Sequence, residues 1–570
     1  MAVRNDSATA LPLTQGDPAP PTPALHDQTL TLSRTQKLQV FALLALNVSL
    51  PPHFHPRDPT NPSLQQMISF MDQNGTSVLL PHLATSLHAS TSISWAATSA
   101  LVANAAFHLL SGRLSDLVGR KVVLITSLLV LSASCLVVGF SVTGPMLYAG
   151  RALAGMANGG VSAMTGNTVS DVCTLRERGR WQGILGMMVG VGTVLGPVVA
   201  GAFVMAGHWG GLFWVLSGMS AVAAALSWRL LPQNMPTTGF WEKVKRIDFA
   251  GAAASAVAIV LILVPITQGG QESTPWNSPL VVGAFPAGLV ALALFFWIEA
   301  KWARLPIVPL SMFRDRSIAA MMLQTFLFGI AFYSQIHQVP LYFQRVRGFT
   351  PLMATVHTLP FPIVQAISSA ASGQYITRFN RYWDVMIAGF CCWTLGQGIL
   401  IAAGMETHIA LVEVALAMLG AGVGMTFNTN ITAMQAHCAK SQRAVINSSR
   451  NFVRSAGGAV GMALTTAVLN ASVKAMMPDG LAAAAGEAFA IPDFSTFADE
   501  ERALVMDAYE AASRMGFVAC VPLTGVCILL CFLVHNTDLK PKDERERMVK
   551  DIESSPESSR AQSPVRVSRG

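Results

Sequence analysis

The 570-residue chain is 52% hydrophobic and only 12% charged, with a formal net charge of +7. Soluble domains carry about 25% charged residues, so the composition excludes an ordinary soluble domain and points to a bilayer. The basic excess sits in short loops between apolar runs, where it sets topology, and so gives no sign of a nucleic-acid partner. The eight cysteines, Cys391, Cys392 and Cys527 among them, fall mostly inside apolar runs without metal-ligand spacing. They read as small core residues, a redox or metal role being the alternative. No nucleotide-binding motif, paired catalytic carboxylates or nucleophile–base spacing is present, so no enzyme activity, cofactor or metal is expected.

In chain order, residues 1–35 are rich in Pro, Thr and Asp, show no cleavable signal and read as a disordered cytoplasmic tail. The first span is irregular. Leu38–Ser49 is a good half-helix, and Met67–Ala84 is a second apolar stretch interrupted by Asp72, Gln73 and Asn74. Between them runs a proline-rich segment from Pro51 to Pro62 that no membrane helix tolerates. Removing 51–66 fuses the flanks into one spanning helix. A retained intron or other gene-model error and a genuine cytoplasmic insertion both fit this pattern.

Later apolar runs have the length of about 20 residues that a hydrocarbon core requires. They fall near 92–111, 122–142, 144–168, 181–205, 209–231, 248–268, 279–298, 317–341, 351–376, 384–404, 408–432, 445–472 and 514–535, giving fourteen spans in all. The expected fold is an all-α polytopic membrane protein. The family resemblance carried by the motifs below implies an N-terminal six-helix bundle over 36–231, a linker with two further helices over 232–316 and a C-terminal six-helix bundle over 317–537. A disordered cytoplasmic tail follows at 538–570. Arg176, Arg178, Arg180, Lys243, Lys245, Arg246, Arg304, Arg314, Arg316, Arg378, Arg381, Lys440 and Arg443 share one side. The opposite loops are nearly bare of cations apart from Arg345, Arg347 and the 474–513 loop. An even span count with both termini inside satisfies that bias. In the 474–513 loop, Asp499, Glu500 and Glu501 open a helical segment to Ala512 expected to cap the outer face, and Asn470-Ala471-Ser472 forms a sequon beside the membrane.

Several motifs lie on this frame. Gly112-Arg113-Leu114-Ser115-Asp116-Leu117-Val118-Gly119-Arg120-Lys121 is a short basic turn between two spans, placed in the cytoplasm by its charge. Asp116 is expected near the N-terminal end of the third span, where a carboxylate caps exposed N–H groups. Arg151 lies about seven residues into its span, roughly 10 Å deep at 1.5 Å per residue. A charge at that depth is functional unless it is merely paired. Asp72 is the only acid in the middle of the first span. An arginine partner favours its charged form and burial alone the neutral one, so a group balanced between them can cycle a proton. The alternative is a static ion pair that fixes packing.

The order Gly-x-Leu-x-Asp-x-x-Gly-Arg-Lys resembles the loop between helices 2 and 3 of the major facilitator superfamily. Leu147-x3-Arg151-x3-Gly155 matches that superfamily's helix-4 motif. Gly192-x3-Gly196-Pro197-x3-Gly201, preceded by Gly186 and Gly190, resembles the helix-5 antiporter motif. Phe70 to Pro81 is similar to the helix-1 signature of fourteen-helix drug:proton antiporters, with Asn74 departing from a usual Thr. Arg454-Ser455-Ala456-Gly457-Gly458 matches a helix-13 pattern of that family, 247–298 its two additional central helices, and Ile93-Ser94-Trp95 its fungal members.

The resemblance implies a proton-coupled exporter of drugs, toxins or secondary metabolites working by alternating access, with Asp72 and Arg151 as the coupling pair. Gly112, Asp116, Gly119, Arg120, Lys121 and Arg454 would form a latch against the C-terminal bundle near Arg450, and Gly192, Gly196, Pro197 and Gly201 the antiporter motif. Small-residue spacing also serves simple close packing. Polar residues costly against lipid would line a mid-depth cavity: Asn104, His108, Asn158, Gln324, Gln335, His337, Asn428 and Asn430. Some of these would bond only neighbouring helices. Met156, Met321, Met322 and Met425 offer a pliable wall or core packing. Few fixed charges suit a bulky amphipathic substrate. The alternatives are a vacuolar basic amino acid transporter, which needs more cavity acids than Asp72 and the outer-end Glu413, and a nutrient receptor, which usually has a longer signalling tail. A monomer in the plasma membrane is expected, with the vacuolar membrane the alternative.

Overall fold

The computed structural model describes residues 62–87, 89, 92–172, 175–230, 249–269, 275–301, 310–438, 442–477 and 499–535. Outside them lie the expected tails at 1–35 and 538–570, the half-helix 38–49, the proline-rich residues 51–61, and the cationic loop positions Lys243, Lys245, Arg246, Arg304 and Lys440. Among the described residues every regular element is a helix, because a backbone in lipid must satisfy its own N–H and C=O groups.

The N-terminal bundle consists of α1 (Pro62–Ser86), α2 (Ser94–Val118), α3 (Arg120–Gly139), α4 (Gly144–Val172), α5 (Leu175–Met205) and α6 (Gly211–Leu230). Two further helices follow, α7 (Phe249–Gln268) and α8 (Pro279–Lys301). After a short 3-10 turn at Leu310–Arg314 come α9 (Arg316–Arg345), α10 (Pro351–Thr358), α11 (Pro360–Phe379) and α12 (Trp383–Ile401). The chain continues through α13 (Ile409–Phe427), α14 (Thr429–Ala436), α15 (Arg443–Met476) and α16 (Asp499–Cys531).

Helix α1 corrects the expected first span. It is a 25-residue helix running unbroken through Asp72, Gln73 and Asn74. At 1.5 Å per residue that is roughly 37 Å, enough for a ~30 Å core. Residues 62–66, assigned to the aberrant insertion, form its first turn, and Gln65 is buried with its Nε2 donating to Ser227 Oγ of α6 at 2.9 Å. The polar residues do not break the helix because they bond within it: Asn74 Nδ2 donates to Phe70 O at 2.8 Å and Thr76 Oγ1 to Asp72 O at 2.7 Å.

Other expectations shift in similar ways. The single span over 351–376 is two pieces, α10 and α11, because Pro360 and Pro362 supply no N–H donors and Pro360 restarts the helix after Leu359. The span over 408–432 divides at Asn428 into α13 and α14. The expected outer cap at 499–512 is instead the opening of α16, anchored where Met405 N donates to Glu510 Oε2 at 2.7 Å. Asn470 of the sequon falls inside α15. Asp116 stands in the last turn of α2, not at the start of the next helix. Gly119, at φ 96°, makes the reversal and is the α3 N-cap, with no side-chain capping bond.

Nine described helices are long and apolar enough to cross a membrane, and α1, α2, α4 and α11 are not among them. Those four spend polar residues on protein contacts rather than lipid: Asp72, Asn104, Arg151 and Gln365 are all buried. At the other extreme, only 22% of the α8 window is buried against 78% of the α9 window, so α8 faces lipid and α9 faces protein. Two cores result. One gathers Leu79, Leu128, Leu147 and Phe213 of the N-terminal bundle; the other is built on Phe332, Phe390, Trp393 and Leu416 and also takes in Phe70 and Val189 across the interface. Helix α7 packs Ile259 and Leu263 against Val102 of α2 and Ala459 of α15, bridging the two bundles.

Helix α5 is glycine-rich because it approaches two backbones. A Cβ on Gly196 would stand 2.9 Å from Gly75 N and 3.0 Å from Met71 Cα of α1, while one on Gly190 would stand 2.7 Å from Pro362 O of α11. Gly196→Leu should therefore lower the thermal unfolding midpoint in detergent by an amount equivalent to about 1–3 kcal/mol of overpacking. Gly218→Leu on α6, where a Cβ meets nothing within 4 Å, should leave the midpoint unchanged.

Candidate transport site

Asp72, Arg151 and Asn158 converge from α1 and α4 in the heart of the N-terminal bundle. Arg151 Nη1 donates to Asp72 Oδ1 at 2.6 Å, and Asn158 Nδ2 to Asp72 Oδ2 at 2.8 Å. Asp72 is fully buried and Arg151 only 3% exposed. Both carboxylate oxygens thus act as acceptors in a site shielded from solvent. Helical spacing explains the geometry: Arg151 and Asn158 lie seven residues apart, two turns along one face of α4. Gly155, between them, lets α4 press onto the backbone of Ala100 in α2.

Arg151 and Asn158 of this triad border a cleft between the bundles. One part encloses about 620 Å³ of space including its open mouth, between Phe70, Gln73, Asn104, Arg151, Asn158, Tyr333 and His337. A second part of about 570 Å³ lies between Thr193, Pro197, Gln335, Thr355, Thr358 and Phe361. The two share Asn74, Ser77 and Ile336, so they adjoin along α1 and α9. Their described walls carry no Asp or Glu side chain.

The predicted lining residues divide. Asn104, Asn158 and His337 line the first part of the cleft and Gln335 the second, where Trp393 Nε1 donates to Gln335 Oε1 at 3.1 Å. Gln324 and Asn430 do not reach it. Gln324 Nε2 donates to Cys527 O at 3.0 Å, and Asn430 Oδ1 accepts from Thr325 at 3.1 Å, so both fasten helices inside the C-terminal bundle. His108 is buried behind the wall, 3.3 Å from Asn104 Oδ1. Asn428 lies against the α5 backbone, 2.4 Å from where a Cβ on Gly186 would be. Met321 and Met322 are buried in the C-terminal bundle, and neither they nor Met156 and Met425 line either part of the cleft. Glu413 is 2.8 Å from His357 and partly exposed, away from the cleft.

Sequence reading missed Gln73 and Tyr333, which meet across the bundles at 3.3 Å, and Phe70, which lines the cleft and packs edge-on against Phe427 behind it at 6.2 Å between centroids. The available signal was periodic: Gln73 and Ser77 on α1, and Tyr333 and His337 on α9, are each one turn apart.

Away from the cleft, on the face of the Gly112–Lys121 turn, the bundles are sealed. Asn447 Nδ2 donates to Asn167 Oδ1 at 2.8 Å, and Ser369 Oγ to Gly183 O at 3.3 Å. A Cβ on Gly112 would stand 3.0 Å from Ser448 Cβ, and at the cleft edge, where Asn104 is also a wall residue, Ser455 Oγ donates to Asn104 Oδ1 at 3.3 Å. Arg120 and Lys121 open α3 beside this seam. Of the antiporter motif, Gly192 and Gly196 pack on α1, Pro197 lines the cleft and Gly201 is buried within α5.

Two bundles closing on one face around a central cleft is the architecture of an alternating-access carrier, and the family model of the Major Facilitator Superfamily matches residues 63–462. The chain belongs to the major facilitator superfamily. It is 37% identical over 535 residues to citrate exporter 1 of Yarrowia lipolytica, covering 93% of this chain and 76% of that protein. It is 30% identical to the efflux pump dotC of Dothistroma septosporum, covering 70% of this chain and 69% of the pump. Among solved structures, the proton:xylose symporter XylE superposes with a TM-score of 0.56 at 13% identity, covering 90% of this chain and 99% of XylE. That likeness is one of fold. As a superfamily member the chain is a multi-pass membrane transporter and not an enzyme.

The seal generates a prediction. Asn447→Leu removes the Asn167 bond, worth about 1 kcal/mol, and should raise the share of molecules open on that face roughly fivefold. A cysteine placed at Ser448 should then react correspondingly faster with an impermeant thiol reagent applied from that side. An unchanged labelling rate would show that this contact does not hold the seam.

Proposed function

We propose that the chain exports small organic molecules from the cytoplasm, each cycle driven by a proton that enters through Asp72. The observation that carries this reading is the Asp72 site. A membrane-buried carboxylate has each oxygen held by a different donor, Arg151 and Asn158, and both donors belong to the cleft wall. Protonation removes the acceptor charge that Arg151 balances, so α1 and α4 lose part of what holds them in register. A local change in packing of that kind can bias one bundle against the other. The glycine-lined α5, with Pro197 inside it, supports export, since Pro197 lines the cleft while its glycines let α5 lie against α1 and α11. In this state the cleft is sealed on the loop face, which the positive-inside bias makes cytoplasmic.

The names of the relatives include a citrate exporter and an efflux pump, so the substrate reading has two branches, an organic acid and an amphipathic metabolite. A basic amino acid fits less well, because the described cleft wall offers it no carboxylate. The plasma membrane is the site this reading implies, with a single chain as the working unit.

Proteoliposomes with an imposed pH gradient test the coupling. Asp72→Asn should abolish substrate accumulation against its gradient while leaving binding measurable, because an amide accepts and donates hydrogen bonds but cannot cycle a proton. Wild-type accumulation by Asp72→Asn would move the coupling elsewhere, with Glu413 the next carboxylate to substitute.

A further inference from the structure

Helix α15 carries two guanidinium groups that the Asp72 site does not use. Arg450 and Arg454 are 5% and 4% exposed. They lie one turn apart, about 10 and 16 Å along α15 from its start at 1.5 Å per residue. Among the described residues, no carboxylate pairs with either. Arg454 Nη1 donates to Tyr333 OH at 3.2 Å; Arg450 donates to Asn451 Oδ1 at 3.2 Å and to the Phe427 carbonyl. The Phe427 ring lies under both cations, at 5.4 Å from Arg450 and 5.2 Å from Arg454. The Nε of each arginine is buried without an acceptor. His108 of α2 lies within electrostatic reach of both charges, and its Nε2 also lacks a partner.

Neutral acceptors and two aromatic faces, Phe427 under both cations and Tyr333 at 6.0 Å under Arg454, compensate two buried cations only in part. A buried charge without a counter-ion is costly, and like charges one turn apart repel. Such a cluster is stable in function only if something of opposite sign visits it. We propose that Arg450 and Arg454 form an anion site that receives carboxylate groups of the exported molecule, making the substrate an organic polycarboxylate. This rests on the export reading and names the substrate class for it.

Position gives the site its place in the cycle. Tyr333 links Arg454 to Gln73, and both Tyr333 and Gln73 line the cleft, so the arginines lie directly behind its floor. On the loop side they adjoin the seal, since Asn447 and Ser448 precede Arg450 by one turn and Ser455 follows Arg454. When the bundles part on that face, α15 separates from α2 along the line that carries the arginines. They then become wall residues of a cavity open to the cytoplasm, which is where an exporter loads. Two planar guanidinium forks suit two carboxylates of one molecule, and the absence of Asp and Glu from the described cleft wall spares that molecule repulsion further out. A neutral amphipath has no use for either cation.

Full-length protein in lipid nanodiscs, titrated calorimetrically with tricarballylate and with its neutral trimethyl ester, provides the test. The two probes share a carbon skeleton and differ in charge. Wild type should bind the acid tighter than the ester by about tenfold or more, and Arg450→Gln and Arg454→Gln should each erase that preference while Arg450→Lys retains part of it. The wild-type comparison stands alone if a Gln variant fails to fold. Equal binding of acid and ester, or an acid preference that survives both Gln substitutions, overturns the anion site. Transport of a neutral probe down an imposed pH gradient, without carboxylate binding, would overturn it while leaving export intact. Arginine-dependent acid binding in a protein that moves no substrate in proteoliposomes would uphold the site and overturn export.

Discussion

The contact on which the N-terminal bundle depends is the 2.6 Å bond between Arg151 and Asp72. Neither residue could stand alone at that depth. Removing either partner leaves an uncompensated charge at a cost of several kcal/mol, whereas the matched pair is tolerated because Asn158 occupies the second carboxylate oxygen. The pair also decides which helices are neighbours. It commits α1 to lie on α4 with one rotational setting, and that setting turns Gln73, Asn74 and Ser77 toward the cleft. This buried ion pair therefore helps orient the wall through which substrate would pass.

Close backbone approach is the second constraint. Lipid tails are as apolar as leucine, so helices in a bilayer gain little from hydrophobic contact and rely on packing and hydrogen bonds. The glycines answer this need at the joints. Gly192 and Gly196 bring α5 onto α1, and Gly186 and Gly190 bring it onto α11. Gly457 and Gly458 bring α15 onto α9, which places Arg454 beside Tyr333. One helix, α5, thus belongs to the packing of both bundles. A change in the shape of α1 can pass through it without a long chain of side chains.

Charge is distributed unequally between the halves. The N-terminal bundle holds a neutralised ion pair at Asp72 and Arg151, whereas α15 holds two arginines with aromatic and neutral partners. On the reading proposed above, a proton switches the first of these sites and an anion the second. The seal at Asn167–Asn447 lies on the loop side of both.

Much of this was legible in the chain itself. Low charge and span-length apolar runs determined an all-helical membrane protein, because a bilayer penalises every exception locally. The depth of Asp72 and Arg151 marked them as partners for the same reason. Tertiary structure alone decided the rest. Whether α1 was whole depended on Asn74 and Thr76 bonding back to Phe70 and Asp72, and on Gln65 finding Ser227 across 162 positions of sequence. That Gln324 and Asn430 fasten helices while Gln335 and His337 border the cleft could not be read from their chemistry, since all four are polar and lie within spans. Nor could the lack, among the described residues, of an acid paired with Arg450 or Arg454, because pairing is a property of which helices meet. The bilayer acts on each residue separately, so its demands are written in local composition; partnership is set by rotation and crossing of distant helices, which no single stretch encodes.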